Sequence, residues 1–587
     1  MMNIMEKTRA AKKKIITKSY LRLIPVSMII VASANICGFI DNIIISRYLG
    51  AGALAAVGYF SPMQAIFGLS FVLTFGTMIL CGNYIGSGQK DKVNSLFTGS
   101  FFTLLTINLI FILSLVMFRG KISNILCAGS SAAGLLEDFI LSLALSLLFS
   151  PQSALLLSLI PYNNEIGKSY IAAAVMLLGK LLLNLLLVKP LGLFGIGLAS
   201  SISDLAMLLI LLPSFMKKTN TIYLKLSGID LRLVGYAVKR GMSILLFYAG
   251  LIIKNSLMNY ALILHSGDDG IAVVNVLASV CGITGTIMTG FVNAYATLGS
   301  LYYGEEDRES LMDLFKEAFV SGSACTMLMV ITFLVFSGPL ADFFFERGMQ
   351  IWSLGQRMFM LGFLYLPFAL IFILLLNTSR IQGKMLMVNI LSFIETGLIG
   401  VLAVLTVPIQ GTDAAWLANT WSDIICLIII LISIFVNKKR PGLSLTDIMK
   451  LPDDFGAAKD QFAEFSVAKL PDVSAVSNEI CRFCESRNVD PKRTVLAGLC
   501  VEELTRNTLE HGGYHRDRNN INVRVVCKDE LTIRIQDDCL KFDPCARMKM
   551  FAPEKPEENI GLRMVAGLAK DMNYYNNAGI NSLIIKL

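Results

Sequence analysis

A single aspartate, Asp41, stands near the end of a long apolar run, in Phe39-Ile40-Asp41-Asn42-Ile43. In a dry cavity desolvation raises the pKa of such a carboxylate, and a proton or a monovalent cation can cancel its charge. That is the chemistry of a coupling site, although a carboxylate near a span end can also simply cap its helix. Pro25, in the same run, removes one backbone hydrogen bond and is expected to kink the helix as a hinge. Asp204 is expected to face the same cavity with Lys180 as its partner. Lys254 and Glu395 could do the same in the second half of the apolar part of the chain, where Asn259 takes the place of Asp41. Charges this close to span ends can also snorkel.

A second group of polar residues is spaced out near the C terminus. Glu503, Asn507 and His511 fall at i, i+4 and i+8 of a predicted helix and so share one polar face. Asp537-Asp538 follows a predicted strand, and Asn559-Ile560-Gly561-Leu562 opens another helix. Cys481 and Cys484 form a C-x-x-C, but a zinc site would need a second pair or histidines nearby, and none is there.

Two unlike scaffolds must position these groups. Of the 587 residues, 55% are hydrophobic and only 16% charged, with a mean hydropathy of +0.64, which no ordinary soluble core requires. Charge is sparse up to about residue 437 and ordinary for a soluble domain afterwards. The net charge of +8 sits mostly in connecting segments and in Lys12-Lys13-Lys14, so it reports topology, and no face interleaves aromatics with Arg as a nucleic-acid partner would need. Twelve scattered cysteines suggest reduced thiols.

Asp41 to Phe97 occurs twice. A gapless shift of 218 positions lays Asp41 on Asn259, Gly52 on Gly270, Ser61 on Ser279, Tyr84 on Tyr302, Gly86 on Gly304 and Phe97 on Phe315. Each copy reads as two apolar spans joined by a turn, followed by a glycine and a charged turn, a helical hairpin in a membrane. Apolar runs of spanning length fall near 19–45, 54–82, 97–118, 134–158, 168–189, 192–214, 236–264, 271–300, 316–337, 352–376, 385–407 and 413–437. The expected fold is a polytopic α-helical membrane protein of twelve spans in two pseudo-symmetric six-helix lobes. Lys and Arg cluster before the first span and after every second one, which places both termini in the cytoplasm. The expected organisation is a basic N-terminus (1–18), an N-lobe (19–214), a connector (215–235), a C-lobe (236–437), a linker (438–454) and an α+β domain (455–587). Within the last, strands are expected at 462–468, 522–527, 531–536 and 581–587, and helices at 473–486, 492–511 and 560–571.

Asp41-Asn-Ile-Ile-Ile-Ser-Arg-Tyr-Leu-Gly50, Leu54-Ala55-Ala56-Val57, Pro62 and Gly86-Ser-Gly88 ahead of a charged turn resemble the first repeat of the MATE family of multidrug and toxin extrusion transporters. The resemblance covers roughly 15–437 and implies export of a small organic, cationic substrate in exchange for H+ or Na+, in a bacterial plasma membrane. It also implies an N-lobe cation site in which Asn184 and Ser200 join Asp41. Val188 stands where that site's second carboxylate is expected, so a single acid remains and proton coupling, or a weaker cation site, is implied.

Glu503…Asn507…His511-Gly-Gly, Asp537-Asp538-Cys539 and Asn559-Ile-Gly561 resemble, in order, the three boxes of the histidine-kinase-like ATPase fold, most closely the anti-sigma-factor serine kinases. That resemblance covers about 455–587. It implies ATP with Mg2+ held by Asn507, Glu503 as the base toward a substrate hydroxyl, and Asp537 as acceptor of the adenine amino group, with His511 and Gly561 beside the nucleotide. Cys539 stands where a glycine is expected, and the glycine lid is reduced to Gly561. The reading that follows is a cation-coupled exporter with a cytoplasmic nucleotide-binding domain that regulates it and could touch a cytoplasmic protein. The alternatives are a membrane-anchored serine kinase or anti-sigma-like binder with a sensor half, and a lipid-linked-sugar flippase.

Overall fold

In lipid a backbone must satisfy its own hydrogen bonds, so long apolar runs fold as helices. The computed structural model describes all residues except 1, 51–52, 54–55, 58–59, 61–62, 64–69, 127–132, 226, 346, 349, 437–443, 512–520, 529, 546–559 and 578. Pro62 and Asn559 therefore lie outside the described residues. In chain order the membrane half comprises α1 (Met2–Tyr48), α2 (Ser70–Gly86), α3 (Lys90–Met117), α4 (Arg119–Leu126), α5 (Ala133–Leu159), α6 (Ile166–Met216), α7 (Leu231–Gly304), α8 (Arg308–Val335), α9 (Ser337–Phe344), α10 (Gln350–Leu361), α11 (Leu366–Gln382), α12 (Met385–Gln410) and α13 (Asp413–Val436). Among the described residues, eight helical stretches are long and apolar enough to cross a membrane, or nine if α10 and α11, bent by 47°, form one span. The number falls short of twelve for local reasons. α6 carries two of the expected spans on either side of Gly192, the first expected span is the inner part of α1, and the second is described only in part. Residues 2–18, expected as a separate basic segment, continue α1 as helix.

The duplication is written in the backbone as well as in the sequence. Left-handed positions recur in pairs: Gly50 (φ 81°) with Gly267 (58°), Gly88 (77°) with Glu306 (53°), Asn164 (54°) with Gly383 (83°), and Gly192 (57°) with Gly411 (77°). The separations are 217, 218, 219 and 219 residues, so each break between helices in the first half has a counterpart in the second. Glycine and asparagine adopt this conformation readily and glutamate only uncommonly; at Glu306 the helix-ending bond from its N–H to Tyr303 O accompanies it.

The halves meet through small residues. A Cβ on Gly86 would lie 2.1 Å from the Leu301 carbonyl oxygen, and one on Gly304 would lie 2.1 Å from that of Asn83. A Cβ on Gly76 or on Gly241 would likewise lie 1.8 Å from the carbonyl oxygen of Ala237 or of Val72. Contact between bare backbones is how helices associate where the surrounding lipid is as apolar as their side chains. The duplicated glycines of the sequence are thus the crossing point of the two repeats, at the end that carries the Gly88 and Glu306 turns.

After α14 (Leu445–Ile448) come β1 (Phe462–Val467), α15 (Leu470–Ser486), α16 (Pro491–His511), β2 (Ile521–Cys527), β3 (Leu531–Asp537), α17 (Ile560–Leu568), β4 (Asp571–Asn577) and β5 (Ile580–Lys586). The sheet is antiparallel throughout, in the order β1-β2-β3-β5-β4. One face, with Val523, Val525, Ile533, Ile535, Leu583 and Ile585, forms a core with Val473, Ile480, Val501 and Leu504 of the helices. The expected helix to Asp571 stops at Leu568 instead, and Asp571 opens β4, a strand the sequence reading missed.

The glycine crossing makes a sharp prediction. Gly304→Ala should destabilise the purified protein by about 1–3 kcal/mol through overpacking, whereas Gly235→Ala, with nothing within 4 Å of its Cβ position, should be neutral or slightly stabilising. Equal melting temperatures for the two variants would refute the packing account.

Candidate functional sites

Asp41 is met from α6 by two side chains one turn apart. Asn184 Nδ2 donates to Asp41 Oδ1 at 2.7 Å, and Lys180 Nζ lies 2.7 Å from Asp41 Oδ2. Lys180 and Asp41 are only 12% and 17% exposed, and Asn184 is fully buried with its Oδ1 lacking any partner. Ser200 turns away, donating to Ile196 O of its own helix at 3.1 Å, and Val188 packs with Ile44 and Ile45. Asp204 is buried between α5 and α6, where it accepts from Ser146 Oγ. The structure therefore brings Asp41, Asn184 and Lys180 into direct contact, holds Asp204 within electrostatic reach of Lys180 and Asp41, and turns Ser200 away. Lys180 pairs with Asp41, where Asp204 was the expected partner. Pro25 lies inside α1, exposed, in a helix that continues through it.

In the second half, Asn259, the counterpart of Asp41, is exposed. Lys254 instead donates to Asn419 at 3.0 Å, with Glu395 and Asp423 within electrostatic reach. The halves share a backbone plan without sharing their polar chemistry.

In the C-terminal unit a narrow cleft lies between α16 and the sheet, lined by Leu504, Thr508, Ile535, Asp537, Phe542 and Tyr574. Asp537 Oδ1 accepts from Asn581 Nδ2 at 2.7 Å and from Cys539 N at 3.0 Å. These contacts fix the carboxyl in an apolar surround, and burial pushes its pKa up to about 6. On α16, Asn507 Nδ2 donates to Glu503 Oε1 at 3.1 Å, each residue one position before a wall residue of the cleft. The cleft thus ends in a fixed carboxylate acceptor, and the Asn507–Glu503 pair beside it offers oxygen ligands of the kind Mg2+ takes. His511 and Gly561 fall in α16 and α17, but their surroundings lie outside the described residues. Among the described residues no cluster of three or more His, Cys, Asp or Glu could hold a metal by itself.

The sheet's other face is not open to solvent. Arg524 and Arg534, opposite one another on β2 and β3, are about 5% exposed and reach the turn between α7 and α8. Arg524 bonds Asp307. Arg534 donates to Glu305, and its Nη2 lies 2.7 Å from Asp307 Oδ2 as an ion pair. Tyr575 donates to Glu305, and Lys12 of α1 lies 2.7 Å from Glu464 and 3.6 Å from Asp307. Burial would raise Asp307, but Arg524, Lys12 and Arg534 hold it well below the usual carboxylate range. Glu305, with fewer cations near it, is pushed up by burial to about 7. Asp307 also caps α8 through Ser310 N at 3.0 Å, whereas its counterpart Gln89 makes no cap bond. Farther along α1, Lys18 pairs with Asp538, next to the cleft, at 2.7 Å. None of this was anticipated, although the change from Ser87-Gly88-Gln89 to Glu305-Glu306-Asp307 between the copies was there to be read.

Comparison with known proteins follows the same division. The MatE family model matches residues 27–188 and again 244–405, and the histidine kinase-like ATPase domain model matches 467–587. No curated protein matches. Among solved structures, MATE in complex with MaD3S aligns with a TM-score of 0.65 at 18% identity, over 70% of this chain and 94% of that one. A MOP superfamily transporter from Pyrococcus furiosus Vc1 gives 0.63 at 17%, over 70% and 94%. An outward-facing multidrug resistance MATE family transporter gives 0.64 at 17%, over 74% and 97%. At these identities the likeness shows the fold.

Breaking the charged contact is testable. Arg534→Met leaves Glu305 buried without its cation and should cost about 3–5 kcal/mol, read as a lower unfolding midpoint of the full chain. Adding Glu305→Gln should recover a good part of that loss. An unchanged midpoint in Arg534→Met would mean that the contact does not hold the two units together.

Proposed function

The chain belongs to the MatE family, with a histidine-kinase-like ATPase domain at its C terminus, and from that membership we propose that it exports small organic cations by alternating access, driven by inward movement of H+. The observation that carries the reading is the Asp41 cluster: a carboxylate on the first helix of the first repeat, largely buried and held by Asn184 and Lys180. A carboxylate in such a place binds and releases charge only when the surrounding lobe rearranges, which is what coupling requires. The Gly86 and Gly304 crossing closes the halves at the end where the ATPase domain sits. In this reading that end is cytoplasmic, and substrate entry needs the crossing to open.

The ATPase domain is in this reading a regulator. ATP would place its adenine against Asp537 and its phosphates toward Asn507, where Mg2+ would neutralise phosphate charge. Lys18 and Lys12 of α1, which also bears Asp41, touch this domain at Asp538 and Glu464, so the occupancy of the cleft and the position of α1 are in contact.

Two measurements test the reading. In proteoliposomes Asp41→Asn should abolish substrate-dependent proton uptake while the protein stays folded; full activity in that variant would count against the coupling assignment. For the cleft, the raised pKa fixes the sign. Below about pH 6 Asp537 is protonated and is no longer an ionised acceptor for an adenine amino group. Affinity for a fluorescent ATP analogue should therefore fall as pH drops through 6, and Asp537→Asn should remove that step while leaving the ligand's own titration. An identical profile in both proteins would refute the assignment.

A further inference from the structure

We propose that Lys180 is the resident cation of the Asp41 site: its ammonium takes the place an alkali cation would occupy, and this is what makes the site reject Na+. The inference deepens the coupling role given to Asp41 and rests on it.

Three observations carry it. Lys180 Nζ sits 2.7 Å from Asp41 Oδ2, in a pocket where both side chains are less than a fifth exposed. Its stem comes from α6, one turn before Asn184, so the same helix supplies the ammonium and the amide that fixes the other carboxylate oxygen. Asn184 Oδ1, fully buried, has no partner. Buried acceptors are rarely left so, and this one adjoins the carboxylate from which Lys180 would have to withdraw to admit a metal ion. Asp41 and Asn184 Oδ1 together offer an oxygen set suited to a monovalent cation. The ammonium pairs directly with the Asp41 carboxylate, and Asp204, hydrogen-bonded by Ser146, lies within electrostatic reach of both.

A second positive charge entering beside Lys180 would face like-charge repulsion across a few ångströms in a poorly solvated pocket, enough to weaken binding on the order of a hundredfold or more. Lysine provides this charge permanently and at a fixed tether length, which no exchangeable ion does. Neither the apolar wall around Val188 nor Ser200, bonded to its own helix, offers a further ligand.

The test is binding of radiolabelled Na+ to the purified full-length protein in nanodiscs, at constant ionic strength, without any transported substrate. Wild type should show no saturable Na+ binding at millimolar concentrations. Lys180→Met should gain one equivalent per chain, at least a hundredfold tighter than any binding to wild type, and the double variant Lys180→Met/Asp41→Asn should lose it again. Saturable binding by wild type overturns the proposal, as does a folded Lys180→Met protein that gains none. Should that variant fail to fold, Lys180→Gln carries the same arm, and the wild-type measurement decides alone in any case. Because the readout is binding, a transporter unaffected by Asp41→Asn would sink the coupling role while leaving the Na+ result standing.

Discussion

Glu305 and Asp307 are two adjoining acids with almost no access to water, and they can remain where they are only because cations are brought to them from three other parts of the chain. Arg524 and Arg534 come from neighbouring strands and would repel each other if Asp307 did not stand between them. Lys12 comes from the first helix. Separating the units would leave charges of both signs to be resolvated or stranded. A buried pair need not favour the assembled state over an apolar contact, but it penalises every misregistered one, so it fixes how the sheet lies on the turn. The soluble unit is thereby built into the membrane half, its open sheet face covered by the transporter and its other face by its own helices.

That arrangement breaks the symmetry the duplication created. The backbone repeats its left-handed turns almost residue for residue, and the two copies of the glycine touch each other at the crossing. Yet only the second copy of the turn is acidic, and only the first copy of the span carries Asp41. The second repeat carries the dock, and each half buries its own, different set of charges.

The apolar runs, the duplication and the strand alternation were all legible in the sequence, because each is a periodic pattern imposed by lipid or by the pleat of a sheet. β4 was not, since Asp571–Asn577 is rich in asparagine and reads as turn, and it becomes a strand through backbone pairing with β5. Lys180 was expected beside Asp204; it lies within electrostatic reach of that acid but makes its direct ion pair with Asp41, because spacing alone cannot tell which of two acids a long flexible stem will reach. Arg524 and Arg534 alternate with Val523, Val525, Ile533 and Ile535 as solvent-facing residues should. What buries them is a surface far away in the chain, and no local pattern could announce it.

The first helix has a mechanical meaning beyond its contacts. Between Lys18 and Asp41 it rises about 35 Å at helical pitch, one continuous rod with Asp538 at one end and Asn184 at the other. A rod of that kind shares tilt and rotation along its whole length, so a displacement at either end arrives at the other unless the rod yields. Pro25 leaves one gap in the hydrogen-bond ladder of that rod, having no amide hydrogen to bond the Leu21 carbonyl one turn back.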